Sequence, residues 1–300
     1  MKAIGDALAI ARYHILLVAM AATLVFGWLI TGRYLFALAL VAGLDWFLIN
    51  LMNRITDLAE DAANGIRGTE QVAARKRFLT WTSVVLMVGS LVATAFFAPR
   101  LLPFRLAVQA IGLGYNYKIV PTPSGMSRFK EIYFLKNFGS SVLFTLTGFA
   151  YPLALSTTPR LLSPPAIFAL ALFFIPFELT YEILYDLRDL EGDRRENVPT
   201  YPVVHGPIAA RRIIDGLLVF SCLVLIASVG TGLLGLREAL MLFAPAAQFV
   251  FYRPRVARGL TSRDCILLTH LGTAQLLLFL AGTAVWNAIG LPADIYLFKS

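Results

Sequence analysis

Charged residues are scarce in this chain. Asp, Glu, Lys and Arg together make up only 15% of its 300 residues, whereas hydrophobic residues make up 58%. Soluble domains average about 25% charged residues, so this composition excludes an ordinary soluble domain. Several apolar runs reach the roughly 20 residues that a helix needs to cross a bilayer. The composition therefore predicts a single polytopic, all-α membrane domain over residues 1–300.

Residues typical of disulfide and zinc sites are also few. The two cysteines, Cys222 and Cys265, lie in or beside apolar segments, which argues against a disulfide framework or a zinc site and predicts small buried side chains. His14, His205 and His270 are far apart and form no ligand motif, so we expect structural roles for them. The chain also lacks a Walker-type loop, a dinucleotide fingerprint, a nucleophile elbow and an H-E-x-x-H motif.

Hydropathy predicts nine membrane spans. Three longer polar connections separate some of them, at 54–77, 118–133 and 188–211. The predicted spans are approximately 10–31, 34–53, 78–98, 101–118, 134–156, 164–187, 209–232, 236–252 and 265–290, of which the fourth and the eighth are short.

The basic residues predict the orientation of these spans. With a cytoplasmic N-terminus, 20 of the 26 lysines and arginines fall on the cytoplasmic side, as the positive-inside rule requires. Topology then explains the net charge of +8, and a nucleic-acid partner is not expected. All three long polar connections come out on the cytoplasmic side.

Oxygen-bearing side chains mark the ends of the second and sixth predicted spans. Each group recurs at spacings of three or four residues, which places its members on one face of a helix. Carboxylates beside hydrocarbon are costly unless their charge is compensated, and Mg²⁺ prefers oxygen ligands. Two such groups facing each other would hold a diphosphate through magnesium, although solvated acids at a helix end are the alternative for either group alone. The first cluster is Asn53, Asp57 and Asp61, and the second cluster is Asp186, Asp189 and Asp193.

Other acids lie near the two clusters. Glu178 lies within the sixth span, where an ionisable residue indicates function by default, although an acid that locks two helices together is an equal alternative. Asp45 lies two turns before Asn53 on the same stripe, so we expect it to face the same cavity. Glu60 lies off the stripe, and we expect it to be solvated.

Basic residues in the polar connections are candidate ligands for phosphate oxygens. Arg and Lys suit phosphate, although the positive-inside rule would place some of them there regardless. Arg128 and Lys130, in S-R-F-K, are the favoured pair, and Arg67 of the first polar connection is a further candidate. Tyr115 and Asn137 lie on either side of the connection 118–133, and Asn137 is a fourth candidate ligand for the diphosphate.

These motifs resemble those of the UbiA superfamily of intramembrane prenyltransferases. That family carries N-D-x-x-D-x-x-x-D after its second helix and D-x-x-D-x-x-x-D after its sixth, where this chain has N-R-I-T-D-L-A-E-D and D-L-R-D-L-E-G-D. The segment P-T-Y-P-V-V-H-G, at 199–206, is similar to the family's T-L-P-x-x-x-G. The resemblance covers nearly the whole chain and implies a UbiA-like bundle of about nine transmembrane helices around a central cavity.

The resemblance also implies roles for individual residues. The first cluster would bind one Mg²⁺ with the diphosphate, and Asp189 and Asp193 would bind another, joined or supported by Asp186. Arg54 departs from the family motif, because it replaces the usual aspartate. The family commonly has an Arg-Pro-hydrophobic-Pro sequence soon after the first motif. This chain has N-G-I-R-G-T there instead, at 64–69. Around the connection 118–133 the family often has a tyrosine, then basic residues, then an asparagine. This chain resembles that order loosely, with Tyr115, Arg128, Lys130 and Asn137.

We therefore predict an enzyme that moves a prenyl group from a polyprenyl diphosphate to a lipophilic aromatic or hydroxyl acceptor within the membrane. Mg²⁺ would neutralise the leaving diphosphate, and the apolar wall would shelter the allylic cation from water. Asp45 or Glu178 would orient the acceptor or take its proton, and Tyr115 is a third candidate catalytic residue. The alternatives are an intramembrane terpene cyclase of the same fold and a cation-coupled transporter, which the position of most acids at one face disfavours.

Overall fold

The apolar runs fold into α-helices in the computed structural model, which describes residues 2–123, 125–156, 160–292 and 295–297. One short antiparallel hairpin, β1 (Val120–Thr122) and β2 (Gly125–Ser127), lies in the second polar connection. The helices are α1 (Lys2–Ile10), α2 (Tyr13–Thr31), α3 (Phe36–Thr56), α4 (Leu58–Ala63), α5 (Thr69–Ala74), α6 (Lys76–Phe97), α7 (Leu102–Asn116), α8 (Tyr133–Thr145), α9 (Tyr151–Leu155), α10 (Pro164–Arg195), α11 (Tyr201–His205), α12 (Pro207–Gly230), α13 (Phe243–Ala257) and α14 (Ser262–Ala288).

Seven helical stretches among the described residues are long and apolar enough to cross a membrane. One of them joins α8 to α9 through a π-helical turn at Leu146–Ala150. The fourth and eighth predicted spans are the helices α7 and α13, each of 15 residues. A helix of that length measures about 22 Å, which is shorter than the roughly 30 Å hydrocarbon layer. The predicted count of nine spans is therefore not confirmed.

The outer surface of the bundle suits a lipid environment. Only 11% of the apolar stretch of α6 is buried inside the protein, and its last residues, Phe96 and Phe97, are 79% and 89% exposed. An exposed apolar surface of this extent would be unfavourable in water. The cysteines fit the same picture of apolar helices, because Cys265 is buried, Cys222 is partly buried and both are free thiols.

Aromatic side chains fill the core between α2, α8 and α10. Phe26 lies with its ring centroid 4.3 Å from that of Phe149 and 4.8 Å from that of Phe174. All three residues are at most 3% exposed. Burial of such a ring stabilises the fold by about 1.5–3 kcal/mol, so this cluster holds α2 and α10 against the π-helical turn that follows α8.

Helix α10 is the longest element, with 32 residues. Pro164 and Pro165 begin it, where proline is favourable because the first helical N–H groups have no partner in the helix, and Ser163 Oγ accepts a hydrogen bond from the Ala166 N–H at 3.3 Å. A helix of this length extends about 48 Å, well beyond the roughly 30 Å hydrocarbon layer. Its last turns, which carry the second cluster, therefore extend past the apolar part of the bundle.

The three polar connections meet at one end of the bundle. Lys130 Nζ, in the second connection, lies 2.6 Å from Glu60 Oε2, in the first. Asn137 Nδ2, at the start of α8, donates to the carbonyl oxygen of Pro199, in the third connection, at 3.0 Å. The polar end of the bundle is thus built from three distant parts of the sequence. Its placement on the cytoplasmic side stays a prediction.

Candidate functional site

A cavity of about 600 Å³ extends from the polar end into the bundle. All six residues of the first and second clusters line it, so the structure brings both acidic helix ends to one space. Deeper in the bundle the wall becomes apolar and aromatic, with Trp46, Phe144, Phe174 and Phe177. The cavity therefore has an acidic polar end and an apolar inner part.

Basic side chains compensate the first cluster from within the protein. Asp57 lies at the break between α3 and α4, where its Oδ1 is 3.1 Å from Arg128 Nη1 and its Oδ2 is 2.8 Å from Lys130 Nζ. Asn53 Nδ2 also donates to Asp57 Oδ2. Asp61 forms an ion pair with Arg54, and Arg12 Nη2 lies 3.8 Å from its other oxygen.

Arg54 explains the departure of the first motif from the family pattern. Its side chain is completely buried, and while Nη1 binds Asp61, Nη2 donates to the carbonyl oxygen of Arg67 at 2.8 Å. Burial raises the pKa of Asp61, whereas Arg12 and Arg54 act in the opposite direction. The residue that replaces the family aspartate is therefore a built-in positive charge that also holds the first polar connection in place.

The second cluster is less completely compensated. Lys136 Nζ, from α8, lies 2.9 Å from Asp186 Oδ1 and 2.8 Å from Glu182 Oε1. Arg188 Nε lies 2.7 Å from Asp189 Oδ1. Asp186 Oδ2 and Asp193 Oδ2, however, are buried and have no hydrogen-bond partner among the residues that the structure describes. Buried carboxylate oxygens without partners are rare and costly, so the cations at this end of α10 leave two oxygen atoms of the cluster uncompensated.

The oxygen atoms of the second cluster fit a hard divalent cation. Among the residues that the structure describes, no three His, Cys, Asp or Glu side chains are already arranged around one metal position. Mg²⁺ usually keeps several waters and takes only one or two carboxylates, together with phosphate oxygens from a substrate. The unpartnered oxygens of Asp186 and Asp193 are ligand atoms of the kind that such an ion needs.

Two of the three predicted catalytic residues line the cavity. Glu178 is 7% exposed and accepts a hydrogen bond from Ser141 Oγ at 3.1 Å, so it links α10 to α8 while it faces the cavity. Both roles considered for Glu178, as a functional acid and as a link between helices, are compatible with this position. Tyr115 lines the cavity from α7 and packs against Gly139 of α8.

Asp45 does not line the cavity, contrary to our expectation. Its carboxylate is completely buried and accepts hydrogen bonds from Arg105 Nε at 3.0 Å, Gln109 Nε2 at 2.7 Å and Tyr151 Oη at 2.8 Å. Eight residues separate Asp45 from Asn53, and a helix turns about 80° beyond two full turns over that distance. Asp45 therefore points to α7 and α9, where it forms part of a buried ion-pair network.

Asn137 is a second correction, because it does not line the cavity as a phosphate ligand. It is completely buried, and its Nδ2 donates to the carbonyl oxygens of Tyr133 at 2.7 Å and Pro199 at 3.0 Å. Its Oδ1 accepts from the Tyr201 N–H at 3.2 Å. One amide hydrogen thus binds within α8, whereas the other and the amide oxygen attach α8 to Pro199 and to the start of α11.

The other three predicted phosphate ligands differ in their positions relative to the cavity. Lys130 lines the cavity and is buried, and Arg67 lines it while Nε binds Asp6 Oδ1 of α1 at 2.7 Å. Arg128 lies behind Asp57, outside the cavity wall, and also binds Glu131 Oε1 at 2.9 Å. Glu60, which we expected to be solvated, lines the cavity as a partner of Lys130.

Several site residues carried little or no signal in the sequence. Arg12 reaches the first cluster only through the packing of the joint between α1 and α2. Lys136 belongs to the basic residues near the second connection, but its pairing with the second cluster depends on the packing of α8. Arg188 lies inside D-L-R-D and is the one member of this group that the motif itself indicates. His14 lines the cavity from α2, although histidine had been expected to have a structural role.

Comparisons with known proteins agree with this architecture. A UbiA homologue from Archaeoglobus fulgidus bound to DMAPP and Mg²⁺ has a TM-score of 0.67 at 16% identity, over 93% of this chain and 98% of that chain. The same homologue bound to GPP and Mg²⁺ has a TM-score of 0.66 at 15% identity, over 94% and 99%. A structure of digeranylgeranylglyceryl phosphate synthase in membranes has a TM-score of 0.57 at 18% identity, over 94% and 99%.

These likenesses concern the fold, and the sequence itself gives the family. Among curated proteins no match to the chain is found. A family profile of the UbiA prenyltransferases, in contrast, matches residues 15–271, a range that contains every residue of both clusters. Since this match spans most of the 300 residues, the chain belongs to the UbiA prenyltransferase family.

Proposed function

We propose that the protein transfers a prenyl group from a polyprenyl diphosphate to a lipophilic acceptor inside the membrane. The observation that carries this proposal is the convergence of two acidic clusters on one cavity whose inner wall is apolar. The homologue from Archaeoglobus fulgidus, bound to DMAPP or GPP with Mg²⁺, supports the same class of donor. A diphosphate with an isoprenoid tail fits both parts of such a cavity.

Magnesium is the cofactor that this proposal requires. The first cluster, Asn53, Asp57 and Asp61, and the second cluster, Asp186, Asp189 and Asp193, would hold it together with the diphosphate. When bound, Mg²⁺ supplies the positive charge that stabilises the departing diphosphate. Asp186 and Asp193 have unpartnered oxygen atoms. This supports a larger contribution to Mg²⁺ binding from the second cluster than from the first.

The protein's own cations complete the binding of the head group. Lys130 and Arg67 line the cavity beside the first cluster, where an ammonium or a guanidinium binds phosphate oxygens well. Lys136, between Glu182 and Asp186, is a third cation at the same end. Arg128, behind Asp57, acts by holding that carboxylate and the neighbouring connection in place.

The inner wall serves the tail and the cation that forms. Trp46, Phe144 and Phe174 present apolar rings to the cavity, so a prenyl chain gains by leaving water there. When the allylic carbon–oxygen bond breaks, the aromatic faces stabilise the positive charge and the closed wall excludes water. Tyr115 contributes a ring near the polar end, and Glu178, at the level of Ser141, orients the acceptor.

A direct test measures diphosphate release by the purified protein in detergent micelles. With geranylgeranyl diphosphate and Mg²⁺, release that requires an acceptor from a lipid extract, together with a product of the corresponding mass, supports prenyl transfer. Release without acceptor, accompanied by a cyclic hydrocarbon product, supports the terpene cyclase. No release with donors of any chain length, together with magnesium-independent solute flux in vesicles, contradicts the proposal and favours transport.

Two substitutions test the metal-binding role of the clusters. Asp57→Ala and Asp189→Ala should each abolish turnover while the protein remains folded. Glu191→Ala is a suitable control, because Glu191 lies between the acids of the second cluster but its side chain is 75% exposed and contacts only Arg194 among the ion pairs. Near-normal turnover in both Asp variants would contradict the proposed metal sites.

A further inference from the structure

A basic surface lies at the polar end of the bundle, where α13 ends beside the starts of α12 and α14. The charged residues of 207–216 and 251–264 are six arginines and two aspartates, without lysine, so these two segments hold a net charge of +4 out of +8 for the chain. We call these eight residues the arginine surface: Arg211, Arg212, Asp215, Arg253, Arg255, Arg258, Arg263 and Asp264.

The first half of this surface joins α12 to α13. Arg211 Nη2 donates to the carbonyl oxygen of Val256, in the last turn of α13, at 3.2 Å. Arg253 Nη2 lies 3.1 Å from Asp215 Oδ2, and Asp215 Oδ1 accepts a hydrogen bond from Tyr252 Oη. Tyr252 is buried, so a core residue fixes the carboxylate and, through it, one guanidinium group.

The second half of the surface joins α13 to α14. Asp264 Oδ1 lies 2.6 Å from Arg258 Nη2 and 3.4 Å from Arg255 Nε, so one oxygen atom faces two guanidinium groups. The other oxygen, Oδ2, accepts hydrogen bonds from the N–H of Thr261 at 3.0 Å and from its Oγ1 at 2.7 Å, which caps the start of α14. The arginines at this joint are therefore held close together around a single carboxylate.

The positive charge of this surface exceeds what its own acids compensate. Arg253 and Arg258 are paired, yet their side chains are 56% and 60% exposed, and Arg212 and Arg263 are exposed as well. Guanidinium groups close to one another repel unless an anion lies among them, and their planar fork suits phosphate oxygens. The positive-inside rule counts lysine and arginine alike, so it explains the sign of the charge but not a set of arginines only, fixed by buried partners.

Exposed apolar side chains continue two of the helices below the arginines. Phe251, four residues before Arg255 on α13, is 45% exposed, and Leu267, four residues after Arg263 on α14, is 50% exposed. Residues four apart lie on one face of a helix, and Arg255 Cζ lies 5.6 Å from the centroid of the Phe251 ring. Only 33% of the apolar stretch of α14 is buried inside the protein. A cationic rim above exposed hydrocarbon is complementary to a lipid with an anionic headgroup.

We propose that the arginine surface binds the phosphodiester headgroup of an anionic glycerophospholipid, with the acyl chains against the exposed sides of α13 and α14. The arginines hold the phosphate oxygens, and the apolar residues below them contact the hydrocarbon. A zwitterionic lipid brings an ammonium group to the same place, where it is repelled, so the surface discriminates by headgroup charge. None of the eight charged residues lines the cavity, so this site is distinct from the proposed prenyl diphosphate site. Ser262, beside Arg263, does line the cavity, so the bound lipid lies next to it.

Native mass spectrometry of the purified protein in detergent micelles tests this site without turnover. With equimolar phosphatidylglycerol and phosphatidylcholine of the same acyl chains, the native protein should retain phosphatidylglycerol preferentially. Each basic residue near an anionic lipid surface contributes about fivefold to binding, so the pair Arg253→Gln and Arg258→Gln should weaken retention about 30-fold. The pair Arg75→Gln and Arg77→Gln is the matched control, because it removes the same charge from exposed residues at the joint of α5 and α6. This control should retain the lipid like the native protein.

A second measurement compares the lipid with a free phosphate compound. Phosphatidylglycerol should raise the melting temperature of the delipidated protein, because it binds the folded state, whereas sn-glycerol 3-phosphate at the same concentration should not. An equal rise with sn-glycerol 3-phosphate assigns the surface to a soluble phosphate ester and overturns the lipid as its occupant.

Two results of the lipid comparison also overturn the inference. Equal retention of the two lipids by the native protein shows no selection by headgroup charge, and an equal loss in both variant pairs reflects total charge without a site. If the pair Arg253→Gln and Arg258→Gln does not fold, the lipid comparison and the melting temperatures of the native protein decide. Neither measurement depends on prenyl transfer, so failure of the native protein to release diphosphate contradicts the proposed function and not this site.

Discussion

The first and second clusters have nearly the same spacing but opposite electrostatic surroundings. Asp57 and Asp61 of the first cluster are paired with Arg128, Lys130 and Arg54. The second cluster receives Lys136 and Arg188 on two of its acids, yet two of its buried oxygens have no partner. Equal motifs therefore do not imply equal affinity for a cation, because neighbouring helices supply different amounts of positive charge.

The difference arises from what packs beside each helix end. The second polar connection and the joint between α1 and α2 both bring guanidinium or ammonium groups to the first cluster. At the end of α10, α8 contributes Lys136, and the other cation paired with the second cluster is Arg188 of α10 itself. We expect a divalent cation to occupy the second cluster first and the first cluster only together with the diphosphate. Substitutions in each region test this order.

The largest expected effect follows from Asp193→Ala. Because Asp193 Oδ2 is buried and has no partner among the described residues, its loss should lower turnover about 10²- to 10³-fold, as expected when transition-state charge loses its stabilisation. The same change should stabilise the metal-free protein by about 1–3 kcal/mol, since an unsatisfied buried group disappears. Diphosphate release and thermal unfolding without metal measure the two effects, and a variant that is inactive and also less stable would argue for a structural role.

Asp45→Ala tests an acid outside both clusters. Arg105 is 1% exposed, so loss of Asp45 leaves a buried charge without its main partner. We expect a loss of about 3–5 kcal/mol in the free energy of unfolding, measured by denaturant titration in detergent. The affinity for Mn²⁺, measured by electron paramagnetic resonance, should not change. Full stability with lost turnover would instead support the catalytic role that the sequence suggested.

Arg54→Ala should reduce the difference between the clusters. Removal of its charge leaves Asp61 buried with only the more distant Arg12, so the metal-free protein should lose about 1–3 kcal/mol. Mn²⁺ should then stabilise this variant more than it stabilises the native protein, because Asp61 becomes free to bind it. The shift in melting temperature upon Mn²⁺ addition measures this, with Arg77→Ala as an exposed control. An unchanged shift would show that Arg54 does not compete with the metal.

The smallest effect is expected from Arg128→Ala. Its side chain is 22% exposed and contacts Asp57 from outside the cavity, so its contribution should resemble that of a surface ion pair, at most about 1 kcal/mol. We expect the KM for the donor to rise about two- to fivefold with little change in kcat. Lys118→Ala, at an exposed residue of the same connection, should behave like the native protein. A large fall in kcat would place Arg128 at the reacting atoms.

The sequence predicted the parts of the fold that depend on local pattern. Apolar runs of 19 residues or more became the spans, and the spacing within each acidic motif placed its members on one cavity. The two short runs did not extend far enough to settle the span count. Local periodicity is informative because it is a property of one helix.

The errors concern how helices face each other. Asp45 was placed on the stripe of Asn53, but the helical drift over eight residues turns it to Arg105. The Asn137 side chain is of a type that can bind phosphate. Its amide is instead hydrogen-bonded to backbone groups of Tyr133, Pro199 and Tyr201. Such partners, like the meeting of His14 with His270, depend on tertiary packing that one sequence does not encode in any local pattern.

One continuous helix, α10, bears the acids of the second cluster at its polar end and two cavity-lining tyrosines one and two turns deeper. A shift of this helix by one residue, about 1.5 Å along its axis, would therefore move the acids and the tyrosines together. The residues of α2 and α14 that line the same cavity can change without moving the second cluster, so we expect relatives of this chain to differ there first.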